Sequence, residues 1–146
     1  MIGGKCIMVK LVLGAKGKGK TKFLLDNANA EAKSSDGVVI YLDKNAKHMF
    51  ELDRNIRLVN VMDYFVVNPE ALIGFVSGLV AGNSDIESIY FDSFLTLAAF
   101  DGGDVSDLLD KFIVLSQQLK VDFIISLSVD EHELPEKYKD LIALSL

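Results

Sequence analysis

Residues 14–21 read Gly14-Ala15-Lys16-Gly17-Lys18-Gly19-Lys20-Thr21, and this stretch decides the fold. It fills the pattern G-x-x-x-x-G-K-[ST] completely. Before it stands Cys6–Leu13 (CIMVKLVL), a nearly continuous apolar run of strand length, as a strand buried on both faces requires. After it, Phe23, Leu24, Ala28 and Ala32 recur at near-helical spacing, which predicts a helix from Lys20 to about Lys33, ended by Ser34-Ser35-Asp36-Gly37. Glycine permits backbone dihedrals closed to other residues, so successive N–H groups can converge on an anion. A helix starting near Gly19 adds unpaired N–H groups and a positive dipole end. Gly14, Gly17, Gly19, Lys20 and Thr21 are therefore the expected phosphate ligands, with Lys20 reaching β- and γ-phosphate oxygens and the Thr21 hydroxyl on Mg²⁺. Lys18 and Lys22 flank them and are counted with the nucleotide-binding set. The pattern demands neither Lys16 nor Lys18, and at least one is expected in solvent. A dinucleotide fingerprint fails, because Lys22 stands where its third glycine belongs.

Working outward, Val38–Leu42 (VVIYL) reads as a second buried strand closed by Asp43, and Ile56–Val61 (IRLVNV) as a weaker strand at a sheet edge. Asn68-Pro69-Glu70 has the form of a helix start, with Asn68 as N-cap, and Gly82-Asn83 the form of its stop. Ile86–Phe91 (IESIYF) is the next strand, ending in Asp92. A helix over about 105–120, a strand Phe123–Ser128 and a final strand Leu141–Leu146 complete the order. Strands alternating with helices predict right-handed βαβ units in an α/β, three-layer α/β/α sandwich around a mostly parallel sheet of five or six strands. Residues 1–146 are expected to form one domain. Met8 can also serve as a start codon, which would make residues 1–7 a dispensable extension.

Composition narrows the partners. The 146 residues are 50% hydrophobic and 25% charged, enough to bury a core without metal or disulfide staples. Six lysines (5, 10, 16, 18, 20 and 22) precede the first acidic residue, Asp26, and the other 124 residues balance nine basic against 21 acidic groups, or −12. That distribution argues against a nucleic-acid surface and permits a focused site for one anion. A single cysteine, no membrane-length apolar run, and lysines at 5 and 10 interrupting any signal-peptide core lead to the expectation of a soluble cytoplasmic protein without membrane insertion.

A phosphate loop needs an acidic partner for its metal, and Asp92, at the end of the apolar Ile89-Tyr90-Phe91, is placed to bind Mg²⁺ directly or through water. His48, His132 and Cys6, the last expected on a buried strand, have no zinc-site spacing. Ser77, Ser93 and Ser126 lack a nucleophile-elbow context. Phe91, Phe94, Phe100, Phe112 and Phe123 read as core, and the acidic stretch Asp130-Glu131-Glu133-Glu136 as a solvated face.

On these residues the chain resembles the P-loop NTPases, and Asp92-Ser93 after Ile89-Tyr90-Phe91 resembles the strand-Asp-Ser segment of RecA-like ATPases, with the order of elements agreeing across residues 6–146. The opening 8–22 and Glu131-His132-Glu133-Leu134-Pro135 are also similar to small Firmicutes ATP-binding proteins loosely described as twitching-motility ATPases. Pilus retraction motors carry several interface arginines; this chain holds only Arg54 and Arg57. The resemblance implies ATP as ligand, Mg²⁺ as cofactor, and sites completed by a protein partner or further copies of the chain. It places a catalytic glutamate near the end of the second strand, where this sequence has Asn45, leaving Asp43 as the nearest carboxylate for water activation beside Lys20. It also places a γ-phosphate sensor at Ser126 or Ser128, where recombinases have glutamine. The expected function is a Mg-nucleotide-binding domain with slow or partner-dependent hydrolysis. A non-hydrolysing switch or scaffold is the alternative. A small-molecule kinase is less favoured, because its lid would need more arginines.

Overall fold

The computed structural model describes residues 6–146; Lys5 and most of the 1–7 segment lie outside the described residues. Six strands, β1 (Val9–Leu13), β2 (Val38–Asp43), β3 (Ile56–Asn60), β4 (Ile86–Phe91), β5 (Asp122–Leu127) and β6 (Ile142–Ser145), form one sheet in the order β3-β2-β4-β5-β1-β6. Every pairing is parallel. The helices are α1 (Lys20–Ser34), α2 (Pro69–Gly82), the short α3 (Phe94–Leu97) and α4 (Val105–Leu119).

Alternate strand residues point to opposite faces, so the sheet carries two cores. On one face Val12, Val39, Tyr41, Tyr90 and Ile124 pack against Leu24, Leu25 and Ala28 of α1. On the other, Leu11, Leu13, Ile40, Phe91, Phe123 and Ile125 meet Leu72 and Val76 of α2 and Leu108, Leu109 and Phe112 of α4. Helices on both faces of a parallel sheet give three layers, and all six strands belong to the sheet.

Local signals set the element ends. Asn68 caps α2 by accepting from the Ala71 N–H at 2.8 Å, with Pro69 in the first turn. Asp104 caps α4 by accepting from the Ser106 N–H at 2.9 Å. β3 lies at the edge as expected but stops at Asn60, whose side chain accepts from the Met62 N–H and turns the chain into a 3₁₀ segment. β1 is shorter than its apolar run. Its partner β5 begins at Asp122 and their register opens at Val9↔Phe123, so the ladder reaches no further than the Phe123 N–H donating to the Met8 carbonyl at 3.1 Å, and Cys6 lies beyond it. Cys6 is accordingly exposed and outside the sheet, which corrects its expected place on a buried strand. No helix of the described residues is long and apolar enough to cross a membrane.

Four of the five expected core phenylalanines are fully buried and Phe100 is partly buried. Phe112 stands edge-on to Phe91 and Phe94, with ring centroids 5.8 and 4.8 Å apart. Phe91 and Phe94 flank Asp92 in sequence, so this cluster anchors the strand end that carries it. Phe112→Ala should cost about 3–5 kcal/mol in urea denaturation, because the cavity it leaves is walled by rigid rings.

Candidate functional site

A cavity of about 430 Å³ opens at the carboxyl ends of the strands, the usual place for ligands in an open parallel sheet. Lys16, Gly17, Gly19, Lys20 and Thr21 form one wall. Lys44 after β2, Asp92 and Ser93 after β4, and Ser128 after β5 supply another, and Phe94, Leu95 and Thr96 of α3 close it.

The loop between β1 and α1 takes conformations open to glycine. Gly17 and Gly19 have φ of 86° and 97°. Gly14 has φ 153°, and a Cβ there would stand 2.9 Å from the Leu146 Cβ. Leu146 is brought there by its own N–H, which donates to the Leu13 carbonyl at 2.8 Å. The strand at the sheet edge thus fixes the first glycine of the loop.

Lys20 begins α1 and is 8% exposed. Its ammonium donates to the carbonyls of Gly14 at 2.7 Å and Ala15 at 3.1 Å. Burial pulls its pKa below the ordinary lysine value, and the charge of Asp92 partly offsets this. Next to it, the Thr21 hydroxyl donates to Asp92 Oδ1 at 3.1 Å across 71 residues of sequence. Asp92 itself is 2% exposed. Its Oδ2 accepts from the Tyr41 hydroxyl at 2.8 Å.

The turn after Asp92 is strained. Ser93 is left-handed, with φ 62°, and its N–H donates to Ser126 Oγ at 2.8 Å. Ser126 in turn donates to the Phe91 carbonyl at 3.3 Å. The Ser126 hydroxyl therefore braces this turn from below, and of the two expected sensor positions it is Ser128 that lines the cavity.

The remaining predicted site residues divide. Lys18 is exposed and forms no wall of the cavity, whereas Lys16 does. Lys22 points away, 81% exposed and paired with Asp26 at 3.0 Å. Asn45 accepts from the Lys47 N–H and is also outside the cavity walls. Asp43 is 3% exposed and lies behind the wall rather than on it. Its Oδ1 accepts from the Lys44 N–H at 2.7 Å, while Oδ2 is buried with no hydrogen-bond partner. Burial first, and then the charge of Asp92, raise its carboxyl above the ordinary aspartate range; the Lys44 N–H, His48 and the Lys44 ammonium oppose this.

Lys44, Tyr41 and Ser126 were not singled out for these roles by sequence reasoning. The signal for Lys44 was its place directly after a strand that ends in Asp43. Nothing in the sequence pairs Tyr41 with Asp92, because that contact depends on β2 and β4 being neighbours.

A raised aspartate pKa means that the folded chain holds this proton more tightly than the unfolded one. Stability is then fully present below the unfolded pKa and is lost as pH rises through the folded value. Asp43→Asn, which keeps the acceptor for Lys44 and removes the charge, should melt above the parent at pH 7.5, with the difference closing as pH falls toward the ordinary aspartate value of 3.8. Parallel thermal melts between pH 4 and 7.5 check it, and a constant difference across that range would contradict the assignment.

No protein-family model matches the chain, and no curated protein matches it.

Proposed function

We propose that this chain is a Mg²⁺-dependent nucleotide-binding domain of the RecA-like P-loop type, taking ATP and hydrolysing it slowly or only with a partner. One observation carries the reading. The glycine-rich loop, the buried ammonium of Lys20 and the Thr21–Asp92 pair, drawn from distant parts of the chain, converge on one cavity at the ends of a parallel sheet.

The chemistry of the donors fits the group. Thr21 Oγ1 and Asp92 Oδ1 are hard oxygens 3.1 Å apart. Neighbouring ligands of an octahedral Mg²⁺ with bonds of 2.0–2.1 Å are also about 3 Å apart. Among the described residues no group of three or more His, Cys, Asp or Glu side chains is placed to hold a metal. A protein that contributes only one carboxylate and one hydroxyl suits an ion completed by phosphate oxygens and water. When bound, the cation would neutralise charge on the phosphates.

Lys20 would exchange the carbonyls of Gly14 and Ala15 for phosphate oxygens. Its desolvation in the loop makes a charged acceptor the better partner. Lys16 and Lys44, both lining the cavity, add positive charge. Arg54 and Arg57 line a separate depression beside β3, which weighs against a kinase whose arginines close over the phosphates. The single exposed cysteine accords with a cytoplasmic setting.

The second reading, a nucleotide-dependent switch or scaffold without turnover, rests on Asp92 being, among the described residues, the sole carboxylate side chain on the cavity walls. Asp43 sits behind the wall, so water activation needs a movement of the 44–48 segment or a group supplied by a protein partner or another copy of the chain.

Calorimetry with Mg-ATP, Mg-ADP and the guanine nucleotides tests binding. The parent should bind Mg-ATP, and Lys20→Ala should weaken it by at least about 30-fold, the loss of one buried charge-assisted contact. Lys44→Ala should lower affinity for ATP more than for ADP. Equal binding of Mg-ATP by the Lys20 variant and the parent would falsify the proposal, and a turnover assay on the same samples separates ATPase from switch.

A further inference from the structure

Among the described residues Asp92 is the only carboxylate side chain lining the cavity, and its two oxygens have different surroundings. Oδ1 faces the Thr21 hydroxyl at 3.1 Å. Oδ2 accepts from the hydroxyl of Tyr41 at 2.8 Å, a bond buried between neighbouring strands. The Tyr41 ring is fully buried and stacks on Tyr90, with centroids 6.0 Å apart and planes inclined by 12°. Tyr90 is tethered in turn, its hydroxyl donating to Glu31 Oε1 at 2.7 Å, and Glu31 also accepts from Ser88. Glu31 belongs to α1, the helix whose first turn carries Thr21. Both oxygens of Asp92 are thus referred back to one helix, Oδ1 directly and Oδ2 through two stacked tyrosines.

We infer that Tyr41 is a positioning residue that confines Asp92 to presenting one oxygen, Oδ1, toward the bound cation, and that it thereby selects Mg²⁺ over Ca²⁺. The inference rests on the nucleotide-binding reading above. Mg²⁺ is small, demands octahedral geometry and takes carboxylates through one oxygen while keeping water in its shell. Ca²⁺ takes six to eight ligands at longer range and gains from a carboxylate that offers both oxygens. A carboxylate whose second oxygen is fixed by a buried donor suits the first ion and withholds a ligand from the second.

Tyr41→Phe removes the donor and keeps the ring. Binding of a fluorescent ATP analogue is titrated with MgCl₂ and, separately, with CaCl₂, for the parent and the variant, with thermal melts showing that both are folded. The expected result is an Mg²⁺ requirement raised by about 10–100-fold, as for other lost partners of metal ligands. The Ca²⁺ requirement should be unchanged or lowered, so the Mg²⁺/Ca²⁺ preference falls at least tenfold. A folded variant whose preference stays within twofold of the parent, or in which both ions weaken in parallel, overturns the inference, since a merely structural tyrosine would affect both alike. The unaltered chain provides a second measurement that does not depend on the variant folding. With Mg-nucleotide bound, the Tyr41 hydroxyl proton should remain protected from solvent exchange by NMR, and its loss on adding Mg²⁺ would show Oδ2 turned to the metal and overturn the inference. A parent chain that binds nucleotide with no metal dependence overturns the metal reading beneath it, and is distinguished by the parent titration alone.

Discussion

The hydrogen bond between Thr21 and Asp92 is the contact on which the site depends. It joins the first turn of α1 to the end of β4, two elements that are not adjacent in the sheet, since β5 lies between β1 and β4. Three parallel strands in register therefore have to form before hydroxyl and carboxylate can meet. The loop of 14–19 is short and rich in left-handed glycines, so once β1 is seated it has little freedom to place α1 elsewhere. Sheet order, loop length and a single side-chain bond between distant segments thus constrain one another.

Charge organises the same region. Lys20 is buried between loop carbonyls and Asp92, and Asp43 is buried behind them without a full complement of donors. Removing these groups from water disfavours their charged forms, and the two shifts follow that rule, lysine down and aspartate up. A self-contained folded core would place neither group there. Titratable groups with shifted ionisation beside a cavity are a common mark of functional sites. The asymmetry of the sequence fits this picture. Of the early lysines among the described residues, Lys16 and Lys20 reach the cavity, while Lys18 and Lys22 face solvent.

What was legible in the sequence was local or periodic. The glycine-rich loop, the Asn68-Pro69 helix start and the strand end before Asp92 are patterns of neighbouring residues, and each stands in the structure where the pattern puts it, whereas the apolar runs mark their strands but not always the ends. What was not legible depends on which strands are neighbours. Tyr41 faces Tyr90 because β2 pairs with β4, Ser126 reaches the Ser93 turn because β5 adjoins β4, and Leu146 crowds Gly14 because β6 closes the sheet beside β1. Cys6 was misplaced for the same reason, since an apolar run shows what a strand tolerates and not where its partner begins. Asp43 was legible as a strand-ending carboxylate, but not as one lying behind the cavity wall.

The two faces of the sheet brace Asp92 by different means. On the side of α2 and α4, Phe91 and Phe94 are locked into an edge-to-face cluster with Phe112 and Phe123, which fixes the backbone on either side of the aspartate. On the side of α1, the braces are polar: Tyr41 bonds the carboxylate in a buried contact, and its ring stacks on Tyr90, which with Ser88 is held by the partly buried Glu31. Apolar packing tolerates small volume-conserving changes, whereas a buried polar group that loses its partner is costly. The face toward α1 is therefore the one through which substitutions act on the orientation of Asp92 and hence on its chemistry. The face toward α4 is the one through which they act on whether β4 is held in place, and both effects converge at the left-handed Ser93 turn.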